Sequence, residues 1–536
     1  MLRFLVLLSL LALAGCFNTS NYVVEKKYFQ ARCNLHEIEI PRPFYKKPHF
    51  INGEKGEKKV KIFDDKGQKI ASDKLGFAFN EKHKDAKQRK IAIFIDGTGM
   101  SGNKKNTTNI RKMYNSAVEQ ACHNSIIPYY NKGLGTSFGK MIRGRLMGEG
   151  IDDHIKDTYR FLVNTYQDGD QIYLFGFSRG AYTVRALNGL IEFAGLLQFK
   201  DKLSENKINK NTYQLIDNAI DVIYTAYNKD NDGRQTFEHR LRHCIKKAHN
   251  ATNMEEIDNN CISKKLSSFD FKEIENKNTT FTLKKVKVEG VGVFDTVPAL
   301  GIRRDDFPDN YRVGLYANKT FHAMSLDEQR HDFRVLRFSK KEKSTDNLEK
   351  FKSLKNMQFL KEVWFAGDHS DVGGGNGCSN GLEKISRDWM LHNFKDDELF
   401  KAGYISASEH LECNTNYEIS NINNITKDDY QYEEGILHDQ FLTNGILGWV
   451  YGRSGLHWRT PKVNDTLHGS IMCRLALKKL PVSHKEREHT GRYQPTNLYL
   501  KPSEGKESSW FKGLEQYYDT VGYKCLKDKK KAHSSY

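Results

Sequence analysis

Proline is scarce in this chain, at 10 residues in 536. With 38% apolar and 28% charged residues, that scarcity is the composition of a folded soluble protein and excludes a long proline-rich disordered tail. No CxxC pair occurs among the nine cysteines, so a zinc site or a thioredoxin-like redox centre has no support. There is also no zinc-finger spacing and no strand motif mixing aromatic and basic residues, so nucleic-acid binding is not expected. No internal repeat is visible. Acidic residues fall short of basic ones, 67 against 84, which leaves a net charge of +17 and a basic surface suited to anionic lipid headgroups.

Long apolar runs are missing too. Phe4 to Ala14 is almost wholly Leu, Val, Ala and Phe behind a basic start at Arg3, but it is too short for a permanent membrane helix. It has the form of a secretory signal. Its end, Leu13-Ala14-Gly15-Cys16, resembles the lipobox of bacterial lipoproteins. That resemblance implies removal of residues 1–15, acylation of Cys16, and a lipid anchor in the bacterial cell envelope, facing the periplasm. Phe17 stands where some bacteria place an inner-membrane retention Asp, which hints at the outer membrane. Eight cysteines remain after Cys16, an even number compatible with disulfides in an exported protein, in a pairing the sequence does not reveal.

Residues 16–89 are polar and Lys-rich, with strand-like patches such as Val60-Lys61-Ile62-Phe63, and read as an extension before the core. From Lys90 the pattern changes. Ile91-Ala92-Ile93-Phe94-Ile95, stopped by Asp96-Gly97-Thr98, is a strand buried on both faces. Asp152 is placed to cap a helix whose stripe is Ile155, Tyr159, Leu162, Val163 and Tyr166. Asp168-Gly169-Asp170 breaks it before a second buried strand, Ile172 to Phe175. A helix then carries Ala181, Val184, Leu187, Leu190 and Ile191 on one face. Apolar strands return at Val286 to Phe294 and Val363 to Phe365. Strand–helix alternation predicts an α/β fold with a mostly parallel sheet flanked by helices. The predicted core is 90–400, with a helical insertion at about 200–280, and 401–536 is an extension that completes the domain.

Gly176-Phe177-Ser178-Arg179-Gly180 fits G-x-S-x-G between an apolar strand and an amphipathic helix, the context a nucleophile elbow needs. A serine hydroxyl requires a base and a carboxylate to orient it. Asp295 lies just past the apolar run Val291–Phe294, and His369 just past Val363–Phe365. His468, in Leu467-His468-Gly469-Ser470, is the rival base. The oxyanion hole is expected from the Arg179 N–H with one from Gly97 or Thr98, while Asp96 braces that loop. Asp371 and the glycines 373–375 read as a turn bringing the His loop to the elbow rather than a metal or phosphate site. No metal and no cofactor are expected. Trp449, within Ile446–Tyr451, is a candidate for a membrane-facing lip around an acyl pocket or, equally, for buried packing.

Ile95-Asp96-Gly97-Thr98, the elbow through Tyr182, Gly292 to Val297 and Gly367 to Gly375 occur in that order. Together they resemble the α/β-hydrolase domain of type VI secretion lipase effectors and their uncharacterised bacterial and fungal relatives, over about 90–200 and 285–395. Leu467 to Ile471 and Tyr493 to Leu498 resemble its closing segments. The resemblance implies a Ser178–Asp295–His369 triad and hydrolysis of lipid esters, phospholipid acyl esters above all. A delivered toxin has no use for its own lipobox, so the expectation is a resident envelope enzyme, with protein partners unknown. Two other readings stay open: a non-catalytic envelope binding module, and an esterase for polysaccharide or small esters.

Overall fold

In the computed structural model, the described residues are 88–97, 107–131, 151–199, 281–298, 314–330, 333–338, 359–376, 381–401 and 465–475, with short pieces at 61–63, 69–72, 76–77, within 219–227, and at 437–438, 459, 461, 480–484, 487–491 and 518–519. The lipobox and Cys16, Thr98, Trp449 and most of 200–280 lie outside them.

One sheet of nine strands organises the chain. In chain order they are β1 (Gly76–Phe77), β2 (Lys90–Ile95), β3 (Ile126–Asn131), β4 (Gln171–Phe177), β5 (Val288–Phe294), β6 (Lys319–Ser325), β7 (Phe359–Phe365), β8 (Thr466–His468) and β9 (Tyr518–Asp519). In space they run β9-β8-β7-β6-β5-β4-β2-β3-β1. All pairings are parallel except that of β1, which runs antiparallel to β3. The chain therefore moves outward in one direction through β2 and β3, then returns to lay β4 on the other side of β2. Between β2 and β4 the order reverses, and in open parallel sheets the crevice at such a reversal is where sites form.

Strand residues alternate between two apolar layers, because successive side chains point to opposite faces. Ile91, Ile93 and Ile95, with Ile172 and Leu174, face a layer built from helices α2 (Ile151–Thr165) and α3 (Arg179–Ala194). Ala92, Phe94, Tyr173 and Phe175 face the other layer, from helices α1 (Asn109–Gln120) and α5 (Leu382–Asn393); the short helix α4 (His369–Gly373) precedes α5. This is a helix–sheet–helix sandwich of the α/β-hydrolase type.

Several readings shift. The helix expected after an Asp152 cap already includes Ile151, so Asp152 and Asp153 occupy its first turn, where carboxylates favour the helix dipole. The strand expected from Val286 begins at Val288, and the one expected at Val363 begins at Phe359. The boundary at 89 is not a boundary of the sheet. The N-terminal extension supplies the edge strand β1, and buried Arg89 grips both carboxylate oxygens of Asp170 at 3.0 and 2.6 Å. That clamp fixes the Asp168-Gly169-Asp170 turn leading into β4. The residues after 401 likewise supply β8 and β9. Among the described residues no helix is long and apolar enough to cross a membrane.

Leu174 is fully buried in β4, the strand that delivers the elbow. Leu174→Ala should cost about 3 kcal/mol of unfolding free energy, read by chemical denaturation. A loss under about 1 kcal/mol would mean that this face is not close-packed.

Candidate active site

The turn after β4 is set by backbone crowding. Ser178 sits at φ 59°, ψ −125° and caps the N-terminus of α3. A Cβ on Gly176 would lie 2.6 Å from the Gly180 carbonyl oxygen, and one on Gly180 would lie 2.3 Å from that of Ile95. Both glycines are thus required for helix, strand and neighbouring strand end to meet. Of the three described non-glycine residues with positive φ, two are Ser178 and Asp295. Such conformations cost on the order of 1–3 kcal/mol each and persist where the surroundings over-determine them. The Ser178 N–H donates to the Phe294 carbonyl at 3.0 Å, and the Asp295 N–H to that of Ala323 at 2.7 Å, so each strained residue is tied to the next strand.

Asp295 and His369, 74 positions apart, meet at 2.6 Å between Oδ2 and Nδ1. His369 opens α4, capped by Asp368, whose carboxylate accepts the Ser370 and Asp371 N–H groups. Its ring stands 4.6 Å from Phe177, the residue before Ser178, and meets Phe333 edge-on at 4.9 Å. The imidazole therefore lies against the elbow. Burial holds its pKa below the ordinary histidine value, although the Asp295 hydrogen bond works in the opposite direction. Asp295 is itself fully buried, and the neighbouring Arg459 and His369 overcome that burial and hold its carboxyl well below the usual carboxylate range. The pair at rest is a carboxylate and a neutral imidazole.

Arg459 is the residue that sequence reasoning missed. Its Nη1 and Nη2 reach the two Asp295 oxygens at 2.6 and 2.9 Å, while the Ser325 N–H takes a further site at 2.9 Å. Behind Asp295, His322 Nε2 accepts the Thr296 N–H at 3.2 Å, and its Nδ1 contacts Glu362 at 3.0 Å.

The loop after β2 also reaches the elbow. A Cβ on Gly97 would lie 3.3 Å from Ser178 Cβ, and Asp96 binds Thr108 Oγ1 and the Tyr130 hydroxyl, each at 2.8 Å. Burial pushes Asp96 up to about 6. Its other oxygen accepts the Gly97 N–H at 2.8 Å, so that donor is engaged by the brace. Arg179 begins α3 beside Ser178. Asp371 closes the cap at the start of α4 and also binds Asn376. The glycines after it permit close approach: a Cβ on Gly373 would overlap the Phe177 ring, and Gly374, at φ 86°, packs on Thr108 and Asn109. Among the described residues no group of His, Cys, Asp and Glu is arranged to hold a metal ion.

His468 sits elsewhere in the sheet. It ends β8, four strands from β4, or about 19 Å at the usual strand spacing. Its ring stacks on Phe365 at 4.5 Å and its Nδ1 contacts Ser470 Oγ at 2.9 Å.

Residues 89–393, more than half of the chain, match the model of the T6SS phospholipase effector Tle1-like catalytic domain. The chain belongs to the Tle1-like family. All four ordered motifs of the Tle1-like domain fall within that span. The chain is also 28% identical over 278 residues to an uncharacterized protein, YEL023C, of Saccharomyces cerevisiae, covering 49% of this chain and 34% of the yeast protein. A crystal structure of an uncharacterized Pseudomonas aeruginosa protein aligns over 73% of this chain and 58% of its own, at 11% identity and a TM-score of 0.31. The chain thus spans about a third of the yeast relative and little more than half of the bacterial one.

Gly180→Ala tests the elbow. In an open helix this change usually stabilises by up to about 1 kcal/mol; here the added methyl meets two backbone carbonyls, at 2.3 and 2.5 Å. The melting temperature should fall. An unchanged or higher value would mean that α3 does not approach the end of β2 this closely.

Proposed function

We propose that this protein is a membrane-anchored serine hydrolase that cleaves acyl esters of lipids, phospholipids foremost. The observation that carries the reading is the convergence, at one end of a parallel sheet, of a strained Ser178 and a buried Asp295–His369 pair. With Nδ1 committed to Asp295, His369 Nε2 is the nitrogen able to take the Ser178 proton. Ser178 Oγ then attacks the ester carbonyl, and the resulting oxyanion is met by the Arg179 N–H at the start of α3 and a donor from the loop after β2. Because the Gly97 N–H is engaged by Asp96, Thr98 is the assignment for that second donor.

His369 returns the proton to the departing alcohol as the acyl-enzyme forms. Water, deprotonated by the same imidazole, attacks the acyl carbonyl, releases the fatty acid and restores Ser178. The family supports the lipid substrate, since its description is that of phospholipase effectors. An acylated Cys16 and a net charge of +17 would hold the enzyme at anionic membrane on the periplasmic side of the envelope. Cys122 is disulfide-bonded, which fits an oxidising compartment.

The decisive assay is acyl release from phospholipid vesicles and from a short aryl ester, by mature protein and by Ser178→Ala. Vesicle turnover should fall about 10³-fold or more in the variant. Turnover of the short ester alone would redirect the substrate to small or polysaccharide esters, and no turnover of either by folded protein would favour a binding module.

The active form carries neutral His369, whose pKa lies below the ordinary histidine value. Activity should therefore rise with pH through a single limb centred below about 6.5 and be complete at neutrality. A pH–rate profile of kcat/KM checks this; a limb centred above 7 would contradict it.

A further inference from the structure

The family match ends at residue 393, yet two of the four hydrogen bonds to the Asp295 carboxylate, and its counter-charge, come from beyond that span. Both of its oxygens are occupied by the fork of Arg459, which lies 164 positions further along. Arg459 is itself buried, and its other hydrogen bonds run to the carbonyls of Ser325 and Phe333. One guanidinium thus joins the acid, the end of β6, and the segment whose Phe333 ring packs against His369.

Two physical consequences follow. A planar fork binds a carboxylate through two parallel bonds and fixes its plane, which a lysine cannot do. The plane of Asp295 in turn decides where Oδ2 meets the imidazole, at 2.6 Å. The guanidinium also offsets the buried carboxylate's charge, so His369 faces a neutral pair instead of a bare anion. The other charged groups around the imidazole are Glu328, which accepts its backbone N–H at 3.3 Å, Arg330, bonded to Glu328, and the Asp368 cap; His322 and Glu362 lie behind Asp295. Glu328 and Arg330 cancel one another locally, which leaves Arg459 as the cation bonded to Asp295 itself.

We propose that Arg459 is a positioning residue for the reaction, clamping the Asp295 carboxylate against His369, and that the working site is completed only by the chain beyond residue 393. This rests on Asp295 and His369 acting as orienting acid and base.

The test uses the full chain with Arg459→Met and Arg459→Lys. The His369 titration is followed by NMR of labelled histidine, its signal assigned by loss in His369→Gln, and turnover is measured in parallel. In Arg459→Met the bare carboxylate should raise the His369 midpoint by about one pH unit, with the acid limb of kcat/KM moving alongside. kcat should fall about 100-fold while KM stays within about threefold. Arg459→Lys restores charge without the fork, so its midpoint should return toward wild type while kcat stays low. A folded Arg459→Met with wild-type midpoint and kcat overturns the proposal, as does full kcat in Arg459→Lys if the methionine variant does not fold. The NMR midpoint needs no turnover, so an inactive wild-type protein with the expected shifts would count against the hydrolase reading and not against the clamp.

Discussion

A carboxylate with no exposed surface has lost its water and must find every hydrogen bond and its counter-charge within the protein. Asp295 does so with four bonds, from the Ser325 N–H, the two Arg459 nitrogens and His369. Those donors come from the end of β6, the chain beyond 401, and the loop after β7. Assembling them around one buried group requires that β5, β6 and β7 lie side by side in parallel. It also requires Arg459, from beyond residue 401, to reach the C-terminal ends of β5 and β6. The sheet order and the site are in this sense one constraint.

The same crowding accounts for the backbone. Ser178 and Asp295 both hold positive φ, each at the end of a strand bonded to its neighbour. Gly176, Gly180, Gly97 and Gly373 line the approaches to the elbow, and each is a place where a Cβ would meet the elbow or its supports. Phe177 joins the parts. Its ring contacts His369 and takes up the space beside Gly97 along one edge and beside Gly373 along the other. A small shift of the His loop is therefore resisted by packing as well as by the Asp295 bond.

The electrostatics divide into tasks. Asp295 and Glu328 are each matched by an arginine, Arg459 and Arg330, and both carboxyls stand below the usual range. Asp96 is instead bonded by two hydroxyls and a backbone N–H, and burial raises its pKa. Asp96 thus braces the loop after β2, whereas Asp295 carries the charge that orients an imidazole.

The sequence by itself determined the local signals: buried strands at β2, β4, β5 and β7, the amphipathic helices on either side of β4, and the glycine-flanked turn at Ser178. These are legible because periodicity and steric need act over a few residues. Asp295 and His369 were legible as polar residues just past apolar runs. The strand Lys319–Ser325 was not read, because its Thr, His and Ser hide a buried strand among polar types; nor was Ile126–Asn131, which contains a proline. The sequence already preferred His369 over His468; the sheet order adds a physical reason, since the two follow apolar segments but end different strands, and that of His468 is the farther from β4. Arg459 and the engagement of the Gly97 N–H were decided by tertiary structure alone. Hydrogen bonds across 164 positions leave no periodic trace, and the partner of a buried charge is fixed only when the chain has closed around it.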